Sequence, residues 1–569
     1  MSGNEEDIVT ETAKPQSTKR SLLNIATIVA IATLLSKIFG LLRQVAIAAA
    51  FGNGTAYGAY NFAYVIPGFL LILLGGINGP FHSAIVSVLA KRDRKEVAAI
   101  IDSITTIVTG ILLLVSIALV IFAEPLMHLV APGLFVPEGT LLAKGITPED
   151  IQNLKITKDI AIQQFQIMAP MAVLAGLVGI GFGALNAADA YWLPSVSPIF
   201  SSLTVLIGIG GLFWTMGSKI LLPENAVLGG VVLAWATLAG AILQWLVQLP
   251  VQIKSGMGGF KLRFDFDRPE VKEVMKIMIP ATFSSGMLQI NVWTDLFFAS
   301  FIPNAAAAVS AMGYAGLLVQ TPLGILSNVI LVPLFPVLSQ LTDPENWGEL
   351  KQRIRQGLML TALTMLPISA VMVALALPIS EVVYERYAFD AEASKLTAVV
   401  LMAYSVGMFV YLGRDVLVRV FYALGDGDTP FKISIVSIFL NGLFDYFLVQ
   451  RFEAAGLVLA TVAVNVISML VMIYILDRRL DGMPLKSWSL IILGLVIASI
   501  LSGGASWGTY HLLSQSFDGF GTMAKFGAKL GGLAIASAVG FTIFGAIAMQ
   551  MKIPEISALT NQIKRRFFR

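Results

Sequence analysis

Apolar runs close to twenty residues or longer recur along the whole chain, each bounded by a short polar stretch. A helix rises 1.5 Å per residue, so about twenty apolar residues cross a hydrocarbon core roughly 30 Å thick. The pattern predicts helices at about 21–51, 57–90, 96–123, 159–186, 194–216, 226–252, 271–302, 305–340, 352–379, 394–424, 430–451, 455–477, 486–512 and 525–551. That makes about fourteen, with twelve or thirteen left open because Gly and Pro interrupt 305–340. Several runs exceed one straight crossing, which calls for tilts, kinks or interfacial turns. The fold class is an all-α polytopic membrane protein.

The polar stretches carry a bias of sign. "AKRDRKE", "QIKSGMGGFKLRFDFDRPEVKEVMK", "ENWGELKQRIRQ", "DRRLDGMPLK" and the tail "NQIKRRFFR" are rich in Lys and Arg, whereas "GNGTAYG" and "PNAAAAVSAM" have none. Cytoplasmic loops collect Lys and Arg, so both termini are expected in the cytoplasm. The long 124–158 loop puts three Lys on the other side, balanced by Glu124, Glu138, Glu149 and Asp150. Composition agrees with the membrane reading. Of 569 residues, 56% are hydrophobic and 13% charged, with a mean hydropathy of +0.81; a soluble chain carries about 25% charged residues. Cysteine is absent, which removes disulfides and thiolate metal sites. A net charge of +3, with no basic-aromatic module, does not argue for a nucleic-acid partner. Residues 1–20 are polar and lack the apolar core and cleavage site of a signal peptide.

The two halves echo one another. "AAAFGNGTAYGAY…FHSAIVSVLAKRD" returns about 250 residues later as "FASFIPNAAAAVS…LVPLFPVLSQLTD", and "GALNAADAYWLP" (183–194) parallels "YALGDGDTPFK" (422–432). In the second turn, Thr429 before Pro430 reads as an N-cap with Pro at the first helical position. The displacement spans six helices, an even number, so the repeats are parallel. The expected division is a disordered cytoplasmic tail (1–20), a six-helix lobe (21–253), a cytoplasmic linker (254–270) and a second six-helix lobe (271–478). Two additional transmembrane helices (479–552) and a basic cytoplasmic tail (553–569) complete it. Transporters often repeat in this way around a midplane substrate site; duplication in a channel or receptor is the plainer reading.

Polar residues inside the spans narrow the possibilities. "LLSKIFGLLRQVAIAAAFG" carries Lys37 and Arg43, although a charge at the bilayer centre costs roughly 2.5–3.5 kcal/mol on insertion scales. They stand about 120° and about 9 Å apart on an ideal helix, and Gly40 between them can kink it toward one cavity. "GFLLILLGGINGPFHSAI" sets Gly75, Gly76, Gly79 and Pro80 beside Asn78 and His82, and reads as a bent or partly unwound helix. Its partner "VQTPLGILSN" holds Gln320, Pro322, Gly324 and Asn328. Two broken helices in corresponding places point to a transport pathway. The candidate substrate-binding residues are therefore Lys37, Arg43, Asn78, His82 and Gln320. Snorkelling is the plainer account of Lys37 and Arg43, a hydrogen-bonded core histidine that of His82, and close packing that of the Gly pairs.

A second constellation comprises Asp295, then Asn441 and Asp445 four apart on one helix face, and Thr461 on the following helix. Carboxylates, an amide and a hydroxyl would suit a hard monovalent cation; the alternatives are pairing with Arg414 or Arg419, or protonation. Asp415 and Arg419 are expected to pair at i,i+4, with Arg414 facing elsewhere. The "GDGDT" turn lacks the later ligands of a calcium loop.

Three stretches together, "LLSKIFGLLRQVAIAAAFG", "QINVWTDLFFASFIP" and "RVFYALGDGDTPFKISI", resemble the MviN/MurJ family of lipid II flippases, and the resemblance runs over nearly the whole chain. It implies a fourteen-helix fold of the multidrug/oligosaccharidyl-lipid/polysaccharide exporter superfamily. It also implies alternating access that carries an undecaprenyl-diphosphate-linked peptidoglycan precursor from the inner to the outer leaflet of the bacterial plasma membrane. The last two helices match, in position, the family's groove for the lipid tail. Arg43 matches the second of two family arginines and Lys37 replaces the first; both would bind the diphosphate. Asp295, Asn441, Asp445 and Thr461 match the family's sodium site, making Na+ or the membrane potential the coupling source, with no other cofactor. Membrane lipids and cell-wall synthesis proteins would be its partners. The chain departs from the family at Gly58, where an acid is expected, and at "GFLLILLGGINGPF", which lacks an Arg pair and a Glu. Gly316 and Leu317 likewise stand for an acid and an Arg.

Other readings weighed are a flippase for another polyprenyl-linked glycan, a drug–cation antiporter of the same superfamily, and a non-transporting scaffold for cell-wall synthesis. The cations Lys37 and Arg43 favour an anionic cargo over a cationic drug. A membrane transferase is disfavoured, since His82, His128 and His511 are the only histidines and no loop acid pair accompanies them. The chain is read as a transporter and not an enzyme.

Overall fold

The computed structural model describes residues 16–76, 80–89, 94–188, 190–259, 261–265, 267–286, 290–517 and 522–556. Every regular element among them is helical. By length and hydropathy eleven helices can each cross a membrane, and the pair Pro148–Met168 and Met171–Ala187, bent by 42° at Pro170, forms a twelfth span. The Asp428–Arg479 helix is itself two crossings. At Glu453 the backbone leaves the helix (φ 49°, ψ −129°), and residues on either side lie abreast in reverse order. Ser437 meets Ser468 at 2.7 Å, and the Thr461 hydroxyl donates to Asn441 Oδ1 at 3.2 Å. Counting this hairpin twice gives thirteen spans among the described residues. Helices Pro269–Gly286 and Ile290–Ala299 would make the fourteenth, across residues 287–289 outside the described set.

Helix starts follow local chemistry. Thr147 accepts from the Asp150 N–H at 3.2 Å, with Pro148 at the first position, so a helix begins inside the stretch expected as loop 124–158. Asn304 and Asp390 cap the Ala305–Ser339 and Ala391–Val406 helices in the same way. The "GDGDTP" turn differs from expectation. Asp426, three residues before Thr429, accepts the Thr429 N–H at 3.0 Å, and Arg479 closes on its carboxylate at 2.7 Å. A carboxylate accepts strongly near a helix N-terminus, which is why the cap falls there. The repeated turns also match in backbone: Ala190 N–H donates to Leu185 O and Asp426 N–H to Phe421 O, both at 2.9 Å and both closing a Schellman-like loop.

The helices from Gln16–Phe51 to Ala226–Lys254 pack as one bundle, and those from Ile290–Ala299 to Asp428–Arg479 as another. Leu485–Ser514 and Thr522–Gln550 form a hairpin against Trp347–Ala374, pinned by Lys529–Glu381 (2.8 Å) and Arg355–Glu555 (3.5 Å). Lipid tails are as apolar as leucine, so close packing, rather than expulsion from water, holds these helices together. Met171–Ala187 shows the device. A Cβ at Gly179 would lie 1.9 Å from the Leu74 carbonyl oxygen, so this glycine lets two backbones touch. Replacing Gly179 with Ala should destabilise the first bundle by about 1–3 kcal/mol, read as a lowered unfolding midpoint in detergent; an unchanged midpoint would contradict the contact.

Candidate functional site

The two bundles meet backbone to backbone at one end. There Gly58 faces Ala306, and a Cβ on the glycine would sit 2.4 Å from Ala306 Cα. Gly133 similarly abuts Ser300, its N–H donating to Ser300 Oγ at 2.9 Å. The Tyr314 hydroxyl donates to the Gly52 carbonyl at 2.8 Å, and Ala388 N–H to the Ala49 carbonyl at 3.1 Å. Tyr57, held by the Gln44 amide, packs its ring 4.8 Å from that of Tyr314. The departure at Gly58 thus has a physical reason: no acidic side chain fits where the helices touch.

Away from this seal the first helix and the distal half of Ala305–Ser339 lose their cover. Leu34, Ile38, Val329 and Val332 are exposed. Lys37 reaches across the interval: its Nζ would lie 3.3 Å from a Cβ on Gly324. Arg43 is half-buried, within electrostatic reach of Tyr57, Tyr60 and Tyr64, and its Nε is buried without a hydrogen-bond partner. Neither cation has an ion-pair partner among the described residues. A guanidinium beside an inter-bundle gap has the fork of N–H donors that can bind an oxyanion.

Between the bundles lies a cavity of about 490 Å³, walled by helices Thr55–Gly75, Ile290–Ala299, Ala305–Ser339 and Ala391–Val406. Gln320 lines it and is exposed. So do Asn61, Tyr64, Trp293 and Tyr404, which the sequence reading did not single out. The three-and-four spacing of Tyr57, Tyr60 and Tyr64 was the available signal for one of these rings. Their stacking (5.2 Å between Tyr60 and Tyr64) makes a ladder from seal to cavity.

The oxygen-rich constellation gathers behind Asp295 on the cavity wall. The Asn441 amide donates to Asp295 Oδ1 at 2.9 Å and to Asp445 Oδ2 at 2.8 Å; the Thr461 hydroxyl lies 3.4 Å from both Asp295 oxygens. One amide therefore serves two carboxylates, while the buried Asp445 Oδ1 has no donor. Two acids so placed lack positive charge, and this donor set fits a small hard cation.

Other expected residues fall elsewhere. Asn78 lies outside the described residues. His82 is buried inside the first bundle against the Asn186 amide, not on the cavity wall. Asp415 and Arg419 form no ion pair within 4 Å; Arg419 instead stacks over Phe335 at 5.7 Å, and Arg414 donates to Ser434 at 3.3 Å. The second broken helix is in fact continuous: Ala305–Ser339 runs through Pro322, Pro333 and Pro336. Neighbouring helices and hydroxyls such as Thr321, which bonds the Leu317 carbonyl, sustain such prolines in a membrane helix.

A profile of the family described as lipid II flippase MurJ matches residues 47–550. A probable lipid II flippase MurJ of Synechocystis sp. is 54% identical over 550 residues, spanning 97% of this chain and 98% of that protein. A lipid II flippase MurJ of Burkholderia cenocepacia is 28% identical over 500 residues, 87% of this chain and 90% of its own. A solved lipid II flippase MurJ in an inward closed conformation superposes with a TM-score of 0.70 at 22% identity, covering 92% of this chain and 98% of that one. An inward-facing multidrug resistance MATE family transporter gives 0.59 at 14% identity, over 80% and 98%. At such identities the solved structures speak for the fold.

The seal can be tested directly because the chain has no native thiol. Cysteines at Asn53 and Ala393, whose amide and carbonyl lie 3.4 Å apart, should join through a short thiol cross-linker. Adding Gly58→Val should sharply lower the yield by wedging the bundles apart. An unchanged yield would mean that the backbone contact does not hold the seal.

Proposed function

The chain belongs to the lipid II flippase MurJ family, and from that membership we propose that it carries a lipid-linked peptidoglycan precursor across the bacterial plasma membrane by alternating access. The observation that carries the reading is the pair of unpaired cations, Lys37 and Arg43, beside the inter-bundle gap. The loop charges orient the chain with both termini in the cytoplasm, the sealed end outside and the gap opening inward. The precursor's diphosphate enters the gap, where Arg43 can offer two parallel N–H donors and Lys37 a point charge. The anion then meets the desolvation cost that the two cations alone would carry. Closing at the inner end and parting at Gly58 would release the cargo outward, while the polyprenyl tail stays in lipid. Asp295, Asn441, Asp445 and Thr461 would hold Na+, whose charge compensates the two carboxylates and ties the second bundle's packing to the ion gradient. Cell-wall synthesis proteins are the natural partners of a carrier that delivers their substrate.

Complementation tests the assignment. In a bacterium depleted of its own lipid II flippase, the wild type should restore growth. Arg43→Ala, at equal expression, should lower transport by at least about tenfold, the value of one strong charge-assisted contact. Full rescue by Arg43→Ala would remove the diphosphate role; failure of the well-expressed wild type would point to a different glycolipid. The cation site has its own readout. Saturating Na+, about a hundredfold over Kd, should stabilise the wild type by about 2.7 kcal/mol. Asp445→Asn should lose that stabilisation, and an equal shift in the variant would place the ion elsewhere.

A further inference from the structure

The cations and the cavity do not coincide. Among the described residues no lysine or arginine lines the 490 Å³ cavity, and the charged one that does is an acid, Asp295. An anionic group is therefore repelled from the space where the bundles leave most room. Instead four aromatic rings line it from three different helices: Tyr64 and Phe69 on one, Trp293 and Tyr404 on two others. Two amides, Asn61 and Gln320, add to the polar lining. The Trp293 Nε1 is buried without a hydrogen-bond partner, a costly state for an indole N–H.

This set of groups has a definite chemical preference. Flat rings bury the C–H faces of a pyranose, amides both donate and accept, and a carboxylate accepts from hydroxyls. We infer that this cavity is a neutral-sugar subsite, taking the glycan of a lipid-linked substrate while Lys37 and Arg43 hold its diphosphate alongside. The inference rests on the flippase reading and deepens it. Position agrees: Lys37 packs at Gly324, one turn along the same helix from Gln320, so the anion and sugar subsites adjoin. The volume lies within the ~300–1,000 Å³ range that encloses a compact ligand. Gly316, where the family resemblance leads one to expect an acid, keeps the space clear. A Cβ there would be 3.9 Å from both the Gln320 amide nitrogen and the Tyr404 ring, in ordinary contact, so a longer side chain would fill the cavity.

The test uses full-length protein in lipid nanodiscs and two probes: a polyprenyl diphosphate, and the same lipid bearing an N-acetylated disaccharide. Trp293→Ala and Gly316→Leu should each weaken binding of the disaccharide lipid by about tenfold and leave the bare diphosphate lipid as in the wild type. Trp293→Phe, which keeps a ring, should retain most of the affinity. Arg43→Ala should weaken both probes. Retained binding of the bare lipid also reports that each variant is folded. Equal loss for both probes in Trp293→Ala and Gly316→Leu, or no loss in either, overturns the sugar subsite while leaving the diphosphate site standing. A wild type that binds neither probe overturns the flippase reading and the subsite with it.

Discussion

The bundles touch where glycines let one backbone come against the other. Gly58 lies against Ala306 and Gly133 against Ser300, and the rest of the arrangement depends on these contacts. In lipid there is no hydrophobic drive to press two bundles together, so an interface must earn its stability from close packing and hydrogen bonds. Small residues supply both, because backbone groups of one bundle come within bonding distance of the other, as at Gly52 and Ala49. A contact made this way is also local. Beyond it nothing obliges the helices to stay together, and the space that opens is where the cavity and the unpaired cations lie.

Charge is distributed between the bundles rather than neutralised inside either. The first presents Lys37 and Arg43; the second holds Asp295 and Asp445 around one amide. Each group is expensive alone in a low-dielectric setting, and each is complementary to something mobile, an anion in one case and a cation in the other. The separation between them prevents internal ion pairs that would silence both. It is also compatible with the proposal that a chain with fewer cavity arginines than its family resemblance implies binds a diphosphate through Lys37 and Arg43. On the proposed reading the anion would be held from the first helix, leaving the cavity to recognise something uncharged.

Much of this was legible in the chain, and what was not shares one cause. The spans, the internal repeat and the break at Glu453 follow from hydropathy and turn residues. The grouping of Asp295 with Asn441, Asp445 and Thr461 was suggested by residue chemistry and by the resemblance, but positions 146 residues apart in the chain carry no distance, and only the fold brings them within hydrogen-bond reach. His82 and Gln320 look equally polar in sequence, yet one turns into its own bundle and the other into the cavity. Trp293 and Tyr404 went unnoticed because aromatic residues are common throughout a membrane helix. The expected break near Pro322 did not occur, because its consequence depends on neighbours that can satisfy the freed carbonyl.

By itself the sequence determined what each segment is: a membrane-crossing helix, a charged loop, a capped turn, a copy of an earlier unit. These are properties summed over contiguous residues, and transfer from water to lipid decides them. The tertiary structure alone decided which faces meet, where the bundles close, and that Lys37 and Arg43 stand outside the cavity that Asp295 and the aromatic rings line. Those outcomes depend on the rotation of each helix about its axis, and in lipid that rotation is settled by packing against other helices, not by anything a single segment contains.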